Sequence, residues 1–496
     1  MKRTLIGLAV AIGTVVLPLA VSPAARAVAP STTPSTTPSV AASAAPPAEP
    51  APAAVDAYLG AVMESTGLPG MSVVVTHGDR IVHAAGYGRD SKGEPVTERT
   101  PMRVASISKS FTAMAVMTLV EDGRISLDEP VAGRLPEFRM ADPRAARITV
   151  RQLLNQTSGL SDTTVDIGAA QAAGSLAAYV STLATGTLAS DPGTRWAYCN
   201  VNYDLAARLV EVAGGRAFGD HLRERVLGPL GMTGSAVGDR AVTPSEGFNS
   251  LYGAWVARPE LPAFRDGGSG GLVTTAADMG RWLIGQTGGG GRPVTPESLK
   301  TMHAPSVVGD YGMGWGEERL NGTRLLVHSG NLFTYTAVQA IVPETGYGFA
   351  VMTNSAALHD DTYNVLAGLV AMSEGRTPEV PGGERQTFEL VLGLIALAAT
   401  GLGVLGVLRA RRWASGRAGS PRWWIGARLL PVLLPVPLFA LYPDLISFLT
   451  NGRTVTWEQL VYFAAPLTIT FAVVAAAGAV TTAVRLVRLR SVVSGR

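Results

Sequence analysis

The sequence predicts a mixed α/β (α+β) domain built on an antiparallel sheet flanked by helices, followed by a three-helix transmembrane region. Three observations predict it. Strand-like runs lie near both ends of the segment 54–376, so first and last strands are expected to share one sheet. Helical patterns and loops rich in Gly and Pro fill 130–250, as an inserted helical region would. Beyond residue 387 come three apolar stretches, each near the roughly 20 residues a bilayer span needs.

Lys2 and Arg3 precede an apolar run over 5–19, and Ala25-Arg26-Ala27 fits the small-residue cleavage pattern of an export signal, 1–27. Residues 28–53 are an Ala/Pro/Ser/Thr-rich linker with repeats such as Ser31-Thr32-Thr33-Pro34, which cannot build a core. Residues 71–77 are β-branched and apolar, Gly78-Asp79 turns, and 80–86 returns, which predicts a hairpin. A helix is expected from Ser106 to Asp122, stopped by Gly123 and apolar nearly all round, hence buried. Strands are expected over 325–328, 336–342 and 348–353, then a last helix over 361–373.

After a polar linker, 377–387, the membrane region 388–496 is read as spans at about 388–408, 425–448 and 460–484. The second contains Arg428 and several prolines. Arg409, Arg411, Arg412, Arg417 and Arg422 follow the first span, and Arg485, Arg488, Arg490 and Arg496 follow the third. By the positive-inside rule both clusters are cytoplasmic, which leaves the preceding domain outside and agrees with the export signal. The expected location is the cell membrane, multi-pass, with an extracytoplasmic catalytic domain and lipid as a partner.

The net charge of +3 implies no whole-chain attraction to nucleic acid. The single cysteine, Cys199, excludes an intrachain disulfide and cannot build a thiolate cluster, and no paired histidines suggest a metal. No phosphate-cradling loop follows a strand, so no cofactor is expected.

Of 41 basic residues only Lys2, Lys92, Lys109 and Lys300 are lysine. Arginine stays charged, whereas an uncharged lysine can act as a base. Lys109 lies in Ala105-Ser106-Ile107-Ser108-Lys109-Ser110-Phe111, three residues after Ser106. Helical positions i and i+3 share a face, so hydroxyl and amine can meet, and a serine hydroxyl needs such a base to become a nucleophile. Tyr198-Cys199-Asn200 follows a Pro-Gly turn, and its tyrosine could hold or relay the proton. Val327-His328-Ser329-Gly330-Asn331 lies on an expected strand, where Gly330 permits close backbone approach. Each motif alone is weak, and Cys199 reads as a small buried residue.

Together, in order, Ser106-x-x-Lys109, Tyr198-x-Asn200 and His328-Ser329-Gly330 resemble the penicillin-recognising serine hydrolases. The closest resemblance is to the class C β-lactamase, D,D-carboxypeptidase and esterase-like superfamily. The segments 153–160, 270–278 and 311–315 agree with it. The resemblance covers roughly 54–375 and implies a β-lactamase/transpeptidase-like fold. It implies Ser106 as the acylated nucleophile, with Lys109 and Tyr198 sharing proton transfer. It implies Asn200 for positioning the substrate amide and Lys109, and the backbone N–H groups of Ser106 and Asn331 as oxyanion donors. His328, Ser329 and Gly330 would line the substrate site, with His328 where lactamases and transpeptidases carry lysine. A histidine is mostly neutral at pH 7, so it offers a substrate carboxylate less than lysine does.

The expected activity is hydrolysis of an amide, lactam or ester carbonyl in a small-molecule or peptide substrate, through an acyl-enzyme. The competing reading is a sensor of penicillin or peptidoglycan fragments that acylates without turnover. A third is an inactive adhesion module, against which the intact Ser106, Lys109, Tyr198 and Asn200 argue.

Overall fold

The first hairpin and the last strands of the domain do pair in one sheet. The computed structural model describes residues 49–238, 242–262, 266–449 and 454–494. The export signal and nearly all of the 28–53 linker lie outside the described residues. Helix α1 (Pro52–Thr66) is followed by strands β1 (Gly70–His77) and β2 (Arg80–Gly88). Strands β8 (Gly316–Leu320), β9 (Thr323–Asn331), β10 (Thr336–Val342) and β11 (Tyr347–Thr353) complete a sheet of order β2-β1-β11-β10-β9-β8. All its pairings are antiparallel.

Both faces of this sheet are covered, which is why β10 and β11 read as continuous apolar runs. Val73, Val75, Phe349 and Val351 meet α1 and helix α5 (Thr362–Ser373) on one face. Val74, Ala350 and Met352 meet helix α2 (Ser108–Glu121) and helix α4 (Ala276–Thr287) on the other. The period-two alternation along each strand assigns side chains to these two cores. Helix α3 (Val201–Gly214) packs against α2 from the inserted helical region.

Two small sheets frame the site. Strands β3 (Met102–Arg103), β4 (Ala236–Val237) and β7 (Leu272–Thr274) form one, in the order β3-β7-β4. Strands β5 (Gly247–Leu251), β6 (Ala254–Arg258) and β12 (Ser355–Ala356) form the other, in the order β12-β5-β6.

Several expectations shift. Ser106 does not open α2 but sits in a 3₁₀ turn, Ala105–Ile107, that feeds it. Ala105 has φ 47°, a left-handed conformation an α-helical start does not allow. Gly123 stops the helix at φ 68°, as expected. Strand β8 lacks a clean alternation and was not anticipated. The polar linker is shorter than 377–387, because helix α6 (Glu384–Leu408) begins inside it.

Three helices are long and apolar enough to cross a bilayer: α6, α7 (Arg422–Ala440) and α8 (Ala465–Ser494). The expected second span is broken: prolines at 431, 435 and 437 interrupt α7, and a separate helix, Tyr442–Leu449, follows. The third continues well past residue 484.

The start of α6 is clamped to the sheet domain. Arg385, 3% exposed, donates to Ser250 Oγ at 2.6 Å and to the Thr66 carbonyl at 3.1 Å. Glu389 accepts from the Gly253 amide at 2.6 Å. Tyr252 at the tip of the β5–β6 hairpin reaches α8, its hydroxyl lying 2.9 Å from Thr470 Oγ1.

Candidate active site

The nucleophile candidate is placed by a strained turn. Non-glycine residues in the left-handed region cost about 1–3 kcal/mol and persist only where neighbours hold them. Here Ser108 Oγ donates to the Ala105 carbonyl at 2.6 Å and accepts from the Leu272 amide at 3.0 Å, tying the turn to β7. A Cβ on Gly330 would lie 2.1 Å from the Val104 carbonyl oxygen, so only glycine lets β9 lie against this turn. Gly330→Ala is therefore expected to push β9 off the turn. It should lower the acylation rate by about 10²-fold, the scale of a 1 Å misplacement, and lower Tm. Single-turnover labelling and a thermal melt check both.

Lys109 is fully buried. Its Nζ lies 3.0 Å from Ser106 Oγ, 2.9 Å from Asn200 Oδ1 and 2.7 Å from the Ser269 carbonyl oxygen. Nζ donates to all three oxygens, which fixes it beside the Ser106 hydroxyl. Tyr198 donates its hydroxyl to Ser106 Oγ at 2.8 Å, and Nζ sits 4.9 Å from the centre of its ring. Lys109 and Tyr198 thus converge on Ser106 Oγ, and Asn200 holds Lys109 from the side.

The 153–160 segment shapes the loop that carries Tyr198. Gln156, also left-handed at φ 62°, accepts from the Ala197 amide with its carbonyl and from the Cys199 amide with its side chain. Cys199 is buried and donates to Asp162 Oδ1 at 3.3 Å; burial pushes its thiol up, so it stays protonated. Asn200 precedes the first turn of α3, which fixes its distance to Lys109.

Along β9, His328 and Gly330 face inward while Ser329 and Asn331 are exposed. His328 is 8% exposed, and both ring nitrogens are engaged. Nδ1 donates to the Ser329 carbonyl at 2.7 Å, so Nε2 is the acceptor, and the Tyr311 hydroxyl donates to it at 2.9 Å. Burial, then the nearby Lys109, push the imidazole down to about 3. His328 is thus a neutral, enclosed group that braces β9 and offers no positive charge to a carboxylate. Replacing His328 with Gln should leave the shape of kcat/KM against pH unchanged between about pH 5 and 8. Loss of a limb centred near pH 6–7 in the variant would contradict this.

Three contributors were not singled out from sequence. Tyr311 holds His328; burial pushes its phenol up, which keeps it a donor. Ser269 supplies the carbonyl for Lys109. Asp204, buried on α3, accepts from the Ser269 amide at 3.0 Å and so orients that carbonyl. Tyr311 opens the segment 311–315 and Ser269 precedes 270–278, both recognisable patterns, but only packing gives them partners. Among the described residues no cluster of His, Cys, Asp or Glu could hold a metal.

Comparison with known proteins bears on the family and the fold. The β-lactamase family model matches residues 55–372. Protein flp of Staphylococcus aureus is 26% identical over 307 residues, covering 58% of this chain and 60% of that protein. The chain therefore spans about three fifths of that relative's length. Penicillin-binding protein 4 of Amycolatopsis lactamdurans is 30% identical over 345 residues, covering 63% of this chain and 88% of that protein. The structure of a D-stereospecific amidohydrolase from Streptomyces superposes with TM-score 0.52 at 25% identity, covering 62% of this chain and 94% of the other.

Proposed function

The chain belongs to the β-lactamase family, and from that premise we propose that it is a membrane-anchored, extracytoplasmic serine hydrolase working through an acyl-enzyme. The observation that carries the reading is the convergence of Lys109 Nζ and the Tyr198 hydroxyl on Ser106 Oγ. Lys109 takes the Ser106 proton as Oγ bonds to a substrate carbonyl carbon. The backbone N–H groups of Ser106 and Asn331 receive the oxyanion. Tyr198 and Lys109 return the proton to the leaving amine or alcohol as its bond to carbon breaks. Water then repeats the sequence on the ester, restoring Ser106 and releasing the acid.

The neutral His328 favours substrates whose recognition does not rest on a C-terminal carboxylate. Simple amides and esters, including D-amino-acid derivatives, meet that condition. Orientation is supported by the membrane helices themselves. Arg417 and Arg485 both stack on Trp413, which gathers the basic loop and the basic tail at one end. Glu389 and Thr470 face the sheet domain at the other. The positive end lies away from the catalytic domain, as an outside domain requires.

A panel of chromogenic lactam, short ester and D-amino-acid amide substrates tests the reading on the full chain in detergent. Repeated release of product from at least one class is expected. A single stoichiometric burst on every class would instead favour the acylating sensor.

A further inference from the structure

The connection between α7 and α8 touches two segments that flank the Ser106 site. On one side Thr454 Oγ1 donates to the Asp162 carbonyl at 3.3 Å. The Asp162 carboxylate is the group that accepts from Cys199, between Tyr198 and Asn200. On the other side the Tyr462 ring meets the Phe333 ring edge-on, with centroids 6.4 Å apart. Phe333 lies in the β9–β10 turn, two residues beyond Asn331. Arg258 locks this contact: its guanidinium sits 3.6 Å over the Tyr462 ring and donates to the Val461 carbonyl at 2.8 Å. Glu260 pins the turn from below, accepting from the Phe333 and Thr334 amides at 2.9 Å each.

The same connection carries the marks of a membrane–water boundary. The rings of Phe439, Tyr442 and Trp457 cluster where the apolar helix ends. Leu445, Phe448 and Leu449 beside them are exposed. Aromatic rings at the ends of spans sit at headgroup level, and exposed apolar side chains next to them sit in lipid. The clamp of Arg385 and Glu389 on the β5–β6 hairpin holds the domain in this position rather than on a free tether.

We propose that the cleft takes an amphiphile held in the outer leaflet. Its scissile carbonyl would lie at headgroup level and reach Ser106 without the molecule leaving the bilayer. Residues 454–463 are the wall that lies between lipid and cleft, and Arg258 is a positioning residue for that wall. The proposal rests on the acyl-enzyme reading and names the substrate class for that site.

The test uses the full chain in phosphatidylcholine–phosphatidylglycerol vesicles and three fluorescent fluorophosphonates. One is soluble, one is joined to phosphatidylethanolamine by a short spacer, and one by a long polyethylene glycol spacer. The short-spacer probe should label Ser106 about tenfold faster than the soluble probe at equal bulk concentration, with no gain from the long spacer. Arg258→Ala should cut the short-spacer rate about fivefold while the soluble rate, which also reports folding, stays within about twofold. Labelling by the soluble and long-spacer probes but not the short one would overturn the proposal, because the cleft would then stand clear of the bilayer. An Arg258→Ala protein with an unaltered short-spacer rate would overturn the role of the wall. Failure of all three probes would remove the acyl-enzyme reading itself, and this inference with it.

Discussion

Ser106→Ala is expected to abolish covalent labelling by a fluorescent penicillin or a fluorophosphonate and to lower turnover by on the order of 10⁴-fold or more. The effect should be this large because the remaining groups are arranged around one atom. Lys109 Nζ and the Tyr198 hydroxyl both point at Ser106 Oγ, within 3.0 Å and 2.8 Å. Without that oxygen the amine has no proton to take and the phenol no partner to serve. Fold loss is not expected, since Ser106 is only partly buried and the turn is tied by Ser108 and Gly330 instead. Gel fluorescence and a thermal melt of the same sample separate the two explanations. A variant that still labels at the native rate would end the assignment.

Lys109→Arg is expected to be nearly as damaging as Lys109→Ala, each lowering single-turnover acylation by about 10³-fold. A guanidinium keeps its proton at any working pH, so it cannot act as base. It is also wider than the ammonium it replaces, in a slot with no exposed surface and oxygen atoms on three sides. Forcing it in should displace Asn200 or the Ser269 carbonyl. If the arginine variant keeps more than about a tenth of the rate, the lysine serves as fixed charge and not as proton acceptor.

Much of the fold was legible because its signals are local. The Gly78-Asp79 turn between two β-branched runs gave the β1–β2 hairpin, and the apolar face pattern of α2 gave a buried helix. The apolar stretches gave three helices long and apolar enough to cross a bilayer. The pairing of Ser106 with Lys109 was also readable, since the chain between them is one turn long. What escaped depends on contacts between distant segments. Tyr311 and His328 stand on separate elements, as do Asp204 and Ser269, and no periodicity joins them. The left-handed Ala105 gave no sign, because alanine, unlike glycine or asparagine, does not mark a positive φ. His328 was read from its motif, but not its burial beside Tyr198 nor its bond from Tyr311, which need the folded packing.

The pairing of β1 with β11, Val73 opposite Val351, sets a timetable for biosynthesis. The first hairpin is made early, yet its inner edge has no neighbour until the chain has been extended through Thr353. At about 5–20 residues per second that delay is roughly a quarter of a minute to a minute. Throughout it, an apolar strand edge is open to wrong partners. Closing so long a loop is slow as well. The sheet becomes complete only shortly before α6 is synthesised, so closure of the sheet and arrival of the first long apolar helix fall at almost the same moment. A nascent chain halted before β11 should remain protease-sensitive however long it waits.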